Sequence, residues 1–282
     1  MVYDILIIGS GPAGLAAAIA ARGRDKSVLV IGSRWQDSPL ARAERVDNYP
    51  GLPGRTGSEV LEEFLRHAES LGTEFVSGKA LSLLAWNGFS VTVGSQVFQG
   101  KALILAPGVV RAAKYPGEAE FLGRGVSYCA TCDGMLYRNR PVTVVGLAPD
   151  APQEANYLCG LGCQVVYVSP YQPQGLNGDI PYVKAGKLAV KGEETVTGLE
   201  ADGAFLPCSG VFILRRAVAP TDLLPALETE EGAIKVDRRM ATNIPGVFAA
   251  GDCTGAPLQV SKAVGEGHVA ALSACEHLDQ GR

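Results

Sequence analysis

Cys129 and Cys132 are separated by two residues, a spacing at which two thiols close a small disulfide ring and reopen it. Asp133 follows directly, and a carboxyl group there can carry the proton that dithiol exchange must move. The same two thiols could instead form half of a zinc set, with Cys159 and Cys163 as the other half. A second constellation is Gly9-Ser10-Gly11-Pro12-Ala13-Gly14. In such a run the first glycine permits a sharp turn and the second lets a pyrophosphate approach the backbone. The third allows a helix to pack closely on a strand, its N-terminus facing the phosphates. Gly251-Asp252 is a third candidate, a carboxylate placed to accept a hydrogen bond from a ligand hydroxyl.

These residues need elements to hold them. Asp4 to Ile8 is a continuous apolar run of the kind buried on both faces of a parallel sheet, and an alanine-rich helix from Leu15 to Arg22 follows the glycines. Ser27 to Ile31 reads as the returning strand. Thr56 and Glu59 make a capping-box pair ahead of a helix with Val60, Leu61, Phe64, Leu65, Ala68 and Leu71 on one face. Asn87-Gly88 marks a hairpin before a strand at Ala102 to Ala106. A second strand, turn, helix and strand occupies Val142 to Val168, followed by an irregular stretch rich in Gly and Pro. Val247 to Ala250 is a last buried strand leading through Gly251-Asp252 to a closing helix from about Ser261. The expected fold class is α/β, with two Rossmann-like modules, the second inserted into the first. Residues 1–112 and 215–282 form one domain and residues 113–214 the insert.

Composition narrows the functions. With 282 residues, 47% apolar and 19% charged, the chain can bury a sizeable core. A net charge of −4 without a basic run argues against nucleic acid as a partner. Seven cysteines are too few for a disulfide scaffold and odd in number, which suits a reducing, cytoplasmic compartment. Ile5 to Ala21 lacks charge, yet Asp4 precedes it and Gly9, Gly11, Pro12 and Gly14 interrupt it, so it reads neither as a signal peptide nor as a membrane span.

Thr242 to Asp252 resembles the second FAD motif of the pyridine nucleotide disulfide oxidoreductases. Gly125-Val126-Ser127-Tyr128-Cys129-Ala130-Thr131-Cys132-Asp133-Gly134, with Asn48-Tyr49-Pro50-Gly51 before it and Gln259 and Gly265-Glu266-Gly267 after it, is similar to the low-molecular-weight thioredoxin reductases. The resemblance spans almost the whole chain. It implies an FAD domain built from both chain ends, an inserted domain carrying the disulfide, and a homodimer. It further implies that Cys132 faces the flavin, that Cys129 attacks the partner disulfide and that Asp133 is acid and base. Gly9, Gly11, Ala13, Gly14, Asn48, Gly108, Asp252, Gln259 and Val260 would line FAD. Ser10 and Pro12 belong to the same turn. Gly32 and Ser33 stand where a ribose-binding acid is expected, so the Ser33 hydroxyl is a candidate for that contact.

The second module departs from the NADPH-using members. Gly146-Leu147-Ala148-Pro149-Asp150-Ala151-Pro152 stands in place of a second fingerprint. Ala148 replaces the glycine that admits phosphate, Pro149 removes an N–H donor, and Asp150 adds negative charge. No arginine occurs from Pro141 to Leu214 to grip a 2′-phosphate. Intact FAD motifs beside this site resemble the pyridine-nucleotide-independent branch, the ferredoxin-dependent flavin thioredoxin reductases. That likeness implies a ferredoxin donor and a thioredoxin-like acceptor, with no nucleic acid or membrane partner. Alternatives are an NADPH-dependent reductase with a divergent site and a non-enzymatic flavin redox sensor. Arg138, Arg140, Lys184, Lys187 and Lys191 are candidate docking residues for an acidic donor.

Overall fold

The computed structural model describes residues 1–109, 114–215 and 217–281. Two compact units result, one from Met1–Arg111 with Ala219–Arg282, the other from Ala112–Val218. The boundary expected between residues 112 and 113 lies outside the described residues, and residues 215–218 group with the second unit.

The chain begins with β1 (Val2–Ile8), α1 (Pro12–Arg22), β2 (Val28–Gly32), α2 (Gly57–Ser70) and β3 (Glu74–Ser77). The hairpin β4 (Ala80–Ala85) and β5 (Phe89–Val93) leads to β6 (Gln96–Leu105). The second unit then runs β7 (Val126–Ser127), α3 (Ala130–Asp133), β8 (Pro141–Gly146), α4 (Ala151–Gly160) and β9 (Gln164–Ser169). It continues through β10 (Tyr182–Lys184), β11 (Leu188–Gly192), β12 (Val196–Ala201), β13 (Ala204–Pro207) and β14 (Gly210–Leu214). The first unit resumes with α5 (Pro220–Leu223), β15 (Thr229–Glu230), β16 (Ala233–Ile234), β17 (Val247–Ala249) and α6 (Val260–Gln280).

In the first unit the sheet order is β3-β2-β1-β6-β5-β4, with β17 parallel beside β6. Ile5 and Ile7 are fully buried and pack with Ala17, Ala18 and Ala21 of α1 and Ala270, Ala271 and Ala274 of α6. Small residues on both helices allow that close approach, and each buried isoleucine contributes about 1.5–3 kcal/mol. Pro12 is the first residue of α1, so the helix begins three residues before the expected Leu15, at a position where proline's missing N–H is harmless. The capping box of α2 is present in full, with Thr56 and Glu59 each bonding the other's amide.

The second unit is a parallel sheet, β10-β9-β8-β14-β7, beside an antiparallel meander β11-β12-β13. The meander corrects the reading of an irregular stretch after Val168. Its strands are short, and Asp202 and Gly203 turn β12 into β13 with φ of 48° and 89°. Leu188, Val190, Leu199 and Ala201 point into a shared core that the interleaved glycines obscure in the sequence.

Candidate active site and the two dinucleotide turns

In the first unit Gly9, Gly32, Gly108 and Gly251 lie at or just past the carboxyl ends of the parallel strands β1, β2, β6 and β17, where open α/β sheets bind ligands. Gly9 has φ 119°, and a Cβ there would lie 2.0 Å from the Ala106 carbonyl oxygen. A Cβ at Gly14 would lie 1.9 Å from the Gly9 oxygen, so only glycine lets α1 sit this close behind β1. Gly11 differs: a Cβ there would meet nothing within 4 Å, which leaves open space at the N-terminus of α1. Ser10 Oγ donates to the Ser33 carbonyl (2.7 Å), and Gly32 passes against Ser10. The Ser33 carbonyl thus braces the turn, while its exposed side chain is free of that contact.

Asn48 Nδ2 donates to Gln259 Oε1 (2.7 Å), joining the loop before α2 to the start of α6, which begins at Val260. Gly108 follows β6 with φ 72°. Gly251 and Asp252 follow β17, and a Cβ at Gly251 would press on Ala13 at 2.8 Å, so this loop packs on the fingerprint helix. Sequence reasoning missed Lys262. Its Nζ donates to the Gly251 carbonyl (2.8 Å), Thr254 Oγ1 (2.9 Å) and the Gly255 carbonyl (2.7 Å), and pairs with Glu266 (3.1 Å). Glu266 in turn accepts from the Gly251 amide (2.9 Å). Burial raises the Asp252 carboxyl pKa, with Lys262 acting against the shift and Glu266 with it. The open N-terminus of α1, with the Gly251–Asp252 loop packed on Ala13, fits a flavin dinucleotide.

In the second unit Cys129 and Cys132 form a disulfide with Cα atoms 5.3 Å apart. Cys129 is the residue before α3 and is 5% exposed; Cys132, one turn on, is exposed. The Cys132 amide donates to Cys129 Sγ (2.9 Å), and the Thr131 hydroxyl lies 3.4 Å from the same sulfur. A thiolate at Cys129 would therefore find donors in place. Ser127 Oγ donates to Asp133 Oδ2 (2.6 Å) and accepts from the Cys129 amide (3.1 Å). Glu154 of α4 accepts from the Ala130 amide (3.4 Å). Cys163 does not face the redox pair's sulfurs in a bond; its thiol donates to the Gly134 carbonyl (3.7 Å).

A buried ion pair anchors the segment that leads into the disulfide. Glu118 is fully buried, and Arg215 Nη1 and Nη2 donate to its two oxygens at 2.6 and 2.8 Å. The Tyr115 amide and the Tyr128 hydroxyl each add a bond of 2.9 Å. Burial pushes the Glu118 carboxyl pKa up, but the Arg215 and Tyr115 bonds outweigh it and hold the group below its ordinary value. Tyr128 precedes Cys129, so this cluster and the redox loop are one continuous piece of backbone.

The turn after β8 is closed by protein. A Cβ at Gly146 would lie 1.8 Å from the Tyr167 hydroxyl, and Tyr167 is only 2% exposed. Burial, then Tyr182 and Asp150, raise the Tyr167 pKa to about 12. Ala148 is buried, and Pro152 lies in the first turn of α4. At the end of β9, the buried Ser169 accepts from the Tyr171 amide (3.2 Å).

Fold and site together define a two-unit dinucleotide-binding oxidoreductase with a dithiol centre. Residues 3–172 and 182–267 match the pyridine nucleotide-disulphide oxidoreductase family, and the chain belongs to it. A thioredoxin reductase of Aquifex aeolicus is 35% identical over 275 residues, covering 89% of this chain and 85% of its own. Two crystal structures of a ferredoxin-flavin thioredoxin reductase from Clostridium acetobutylicum superpose with TM-scores of 0.89 and 0.88, at 38% and 44% identity. Each covers 99% of this chain and 98% of the other. The chain is thus an oxidoreductase homologous to thioredoxin reductases, and its cofactor is FAD. Among the described residues no helix is long and apolar enough to cross a membrane.

Proposed function

We propose that the chain is a flavin-dependent reductase that takes electrons from reduced ferredoxin and passes them through Cys129 and Cys132 to a thioredoxin-like disulfide. The carrying observation is the contrast at one position of the two turns: Gly11 faces open space, whereas its counterpart Ala148 is buried, with Pro149 and Asp150 beside it in place of a phosphate cradle. The likeness to ferredoxin-flavin thioredoxin reductase supports the same donor.

Gly9, Ser10, Gly11, Pro12, Ala13 and Gly14 would hold the pyrophosphate, with Gly32, Ser33, Asn48, Gly108, Gly251, Asp252, Gln259 and Val260 around the remainder. When bound, FAD supplies the conversion between one-electron donors and a two-electron disulfide. Cys132, the exposed sulfur, is the one that receives reducing equivalents. Cys129 is the nucleophile toward the partner: the Cys132 amide and Thr131 hydroxyl stabilise its thiolate, and because it is buried, the loop must open for attack. Asp133 gives and takes the proton. The five free cysteines fit a reducing, cytoplasmic setting, and the active form is a homodimer. Arg138, Arg140, Lys184 and Lys187 are exposed and suit an acidic donor; Lys191 is already paired with Glu200 at 3.0 Å.

Anaerobic stopped-flow spectroscopy of the purified flavoprotein tests the donor. Reduced ferredoxin should bleach the flavin band within turnover time and millimolar NADPH should not. Rapid bleaching by NADPH would replace this reading with an NADPH-dependent reductase.

A further inference from the structure

Ser127 ends β7 and is 4% exposed, yet nothing in the mechanism above uses it. A hydroxyl has one proton to donate. Two acceptors lie near: Asp133 Oδ2 at 2.6 Å and the Cys129 carbonyl at 3.2 Å. The shorter bond has the distance of a charge-assisted O–H···O contact and takes the proton. The same oxygen accepts the Cys129 amide at 3.1 Å. One buried atom therefore ties the carboxylate to the backbone of the nucleophile. Ser127 is itself held by strand pairing, with Phe212 of β14 as its register partner. Asp133 sits on a helix of four residues, too short to orient its side chain unaided.

We propose that Ser127 is a positioning residue for proton transfer during dithiol–disulfide exchange, an inference that rests on the reading of Asp133 as acid and base. The Cys129 thiolate attacks one sulfur of the partner disulfide; that bond breaks, and its electron pair leaves on the other partner sulfur, which takes the Asp133 proton. Asp133 then accepts the proton of the Cys132 thiol. The resulting thiolate attacks Cys129, reforming the Cys129–Cys132 bond and expelling the second partner sulfur, which takes the proton back from Asp133. Two electrons and two protons reach the partner. Asp133 acts twice, so its placement counts twice. Tyr137, after α3, interacts electrostatically with Asp133 and also with Arg140 and Cys208, while Glu154 on α4 accepts from the Ala130 amide. Ser127 donates directly to Asp133 Oδ2 at 2.6 Å.

The test is turnover of the FAD-loaded enzyme with a bacterial thioredoxin between pH 5.5 and 9. Ser127→Ala should lower kcat about tenfold with KM within about twofold, as expected of lost orientation. Ser127→Thr, which keeps the hydroxyl, should stay within about threefold of the parent. In an Asp133→Asn background, Ser127→Ala should have no further effect. Full multiplication of the two losses, or a Ser127→Thr variant as slow as Ser127→Ala, would overturn the role of Ser127. If Asp133→Asn alone leaves the rate unchanged, the acid–base reading itself fails, a result distinct from a crippled Asp133→Asn with a normal Ser127→Ala.

Discussion

At the turn after β1 the backbone is packed from below and open above; at the turn after β8 the corresponding space belongs to protein. Gly9 and Gly14 press against carbonyl oxygens while Gly11 faces nothing, so the glycines of the first turn divide into two that make the turn and one that leaves room for a ligand. Gly146 matches Gly9 and like it has no room for a Cβ, here because of Tyr167 on the neighbouring strand, but Ala148, which matches Gly11, is buried. The difference teaches that a strand–turn–helix unit packs equally well with or without open space at its turn. The second unit instead holds the Cys129–Cys132 disulfide, next in sequence to a segment anchored by the buried Glu118–Arg215 pair.

Removing a cysteine separates the two units most sharply. Cys129→Ser and Cys132→Ser should each lower thioredoxin reduction by at least about 10³-fold, the scale of losing a covalent participant, while FAD stays bound, as read from the flavin absorbance. Wild-type turnover by either variant would show that electrons bypass the second unit. Next in size is Glu118→Gln, which strips the charge from a buried bidentate pair and should cost about 3–5 kcal/mol. Hydrogen exchange should localise the loosening to the second unit, around Tyr115 to Cys129. Uniform loosening of both units would remove the contrast.

The glycines give the middle-sized effects, with opposite signatures. Gly11→Ala has space for its methyl in the protein alone, so the apoprotein's melting temperature should hold while FAD affinity falls about tenfold or more, roughly 1.4 kcal/mol. Gly146→Ala collides with Tyr167 and should cost about 1–3 kcal/mol of stability, with FAD titration unchanged. A loss of FAD affinity in the second variant would mean that both turns serve the flavin.

The smallest effect separates the units by pH. Asp4 in the first unit is partly buried, which pushes its carboxyl pKa up; bonds from Lys101 and from the Ser27 amide and hydroxyl overcome this and hold it at about 2. A depressed carboxylate stabilises the fold fully above about pH 4 and loses that contribution as pH falls toward 2. Asp4→Asn should therefore cost at most about 2 kcal/mol at pH 7 and almost nothing at pH 2, read by denaturant unfolding.

Much of the site was legible in the residues. Gly9, Gly11 and Gly14 announce a dinucleotide turn because each spacing has its own steric reason, and the two thiols of Cys129 and Cys132 lie as close as their separation suggests. The strand at Ile5 to Ile8 and the capping box at Thr56 are local signals, written in neighbouring residues, and local signals survive without tertiary information. The meander at Leu188 to Pro207 was not legible, since its strands pair with each other and their short apolar stretches are interrupted by Gly192 and Gly198.

The sequence by itself determined the two modules, the pairing of Cys129 with Cys132 and the make-up of the second turn, because these depend on residue type and short spacing. Tertiary structure alone decided which groups meet across long separations. Tyr167 reaches Gly146 only because β9 pairs beside β8, and Glu118 finds Arg215, 97 residues later, only because β14 returns next to β7. Lys262 gathers its acceptors around Gly251 only once α6 folds back on the loop after β17. Side-chain contacts of that kind depend on strand order and helix placement, which are set by packing of the whole core rather than by any run of residues.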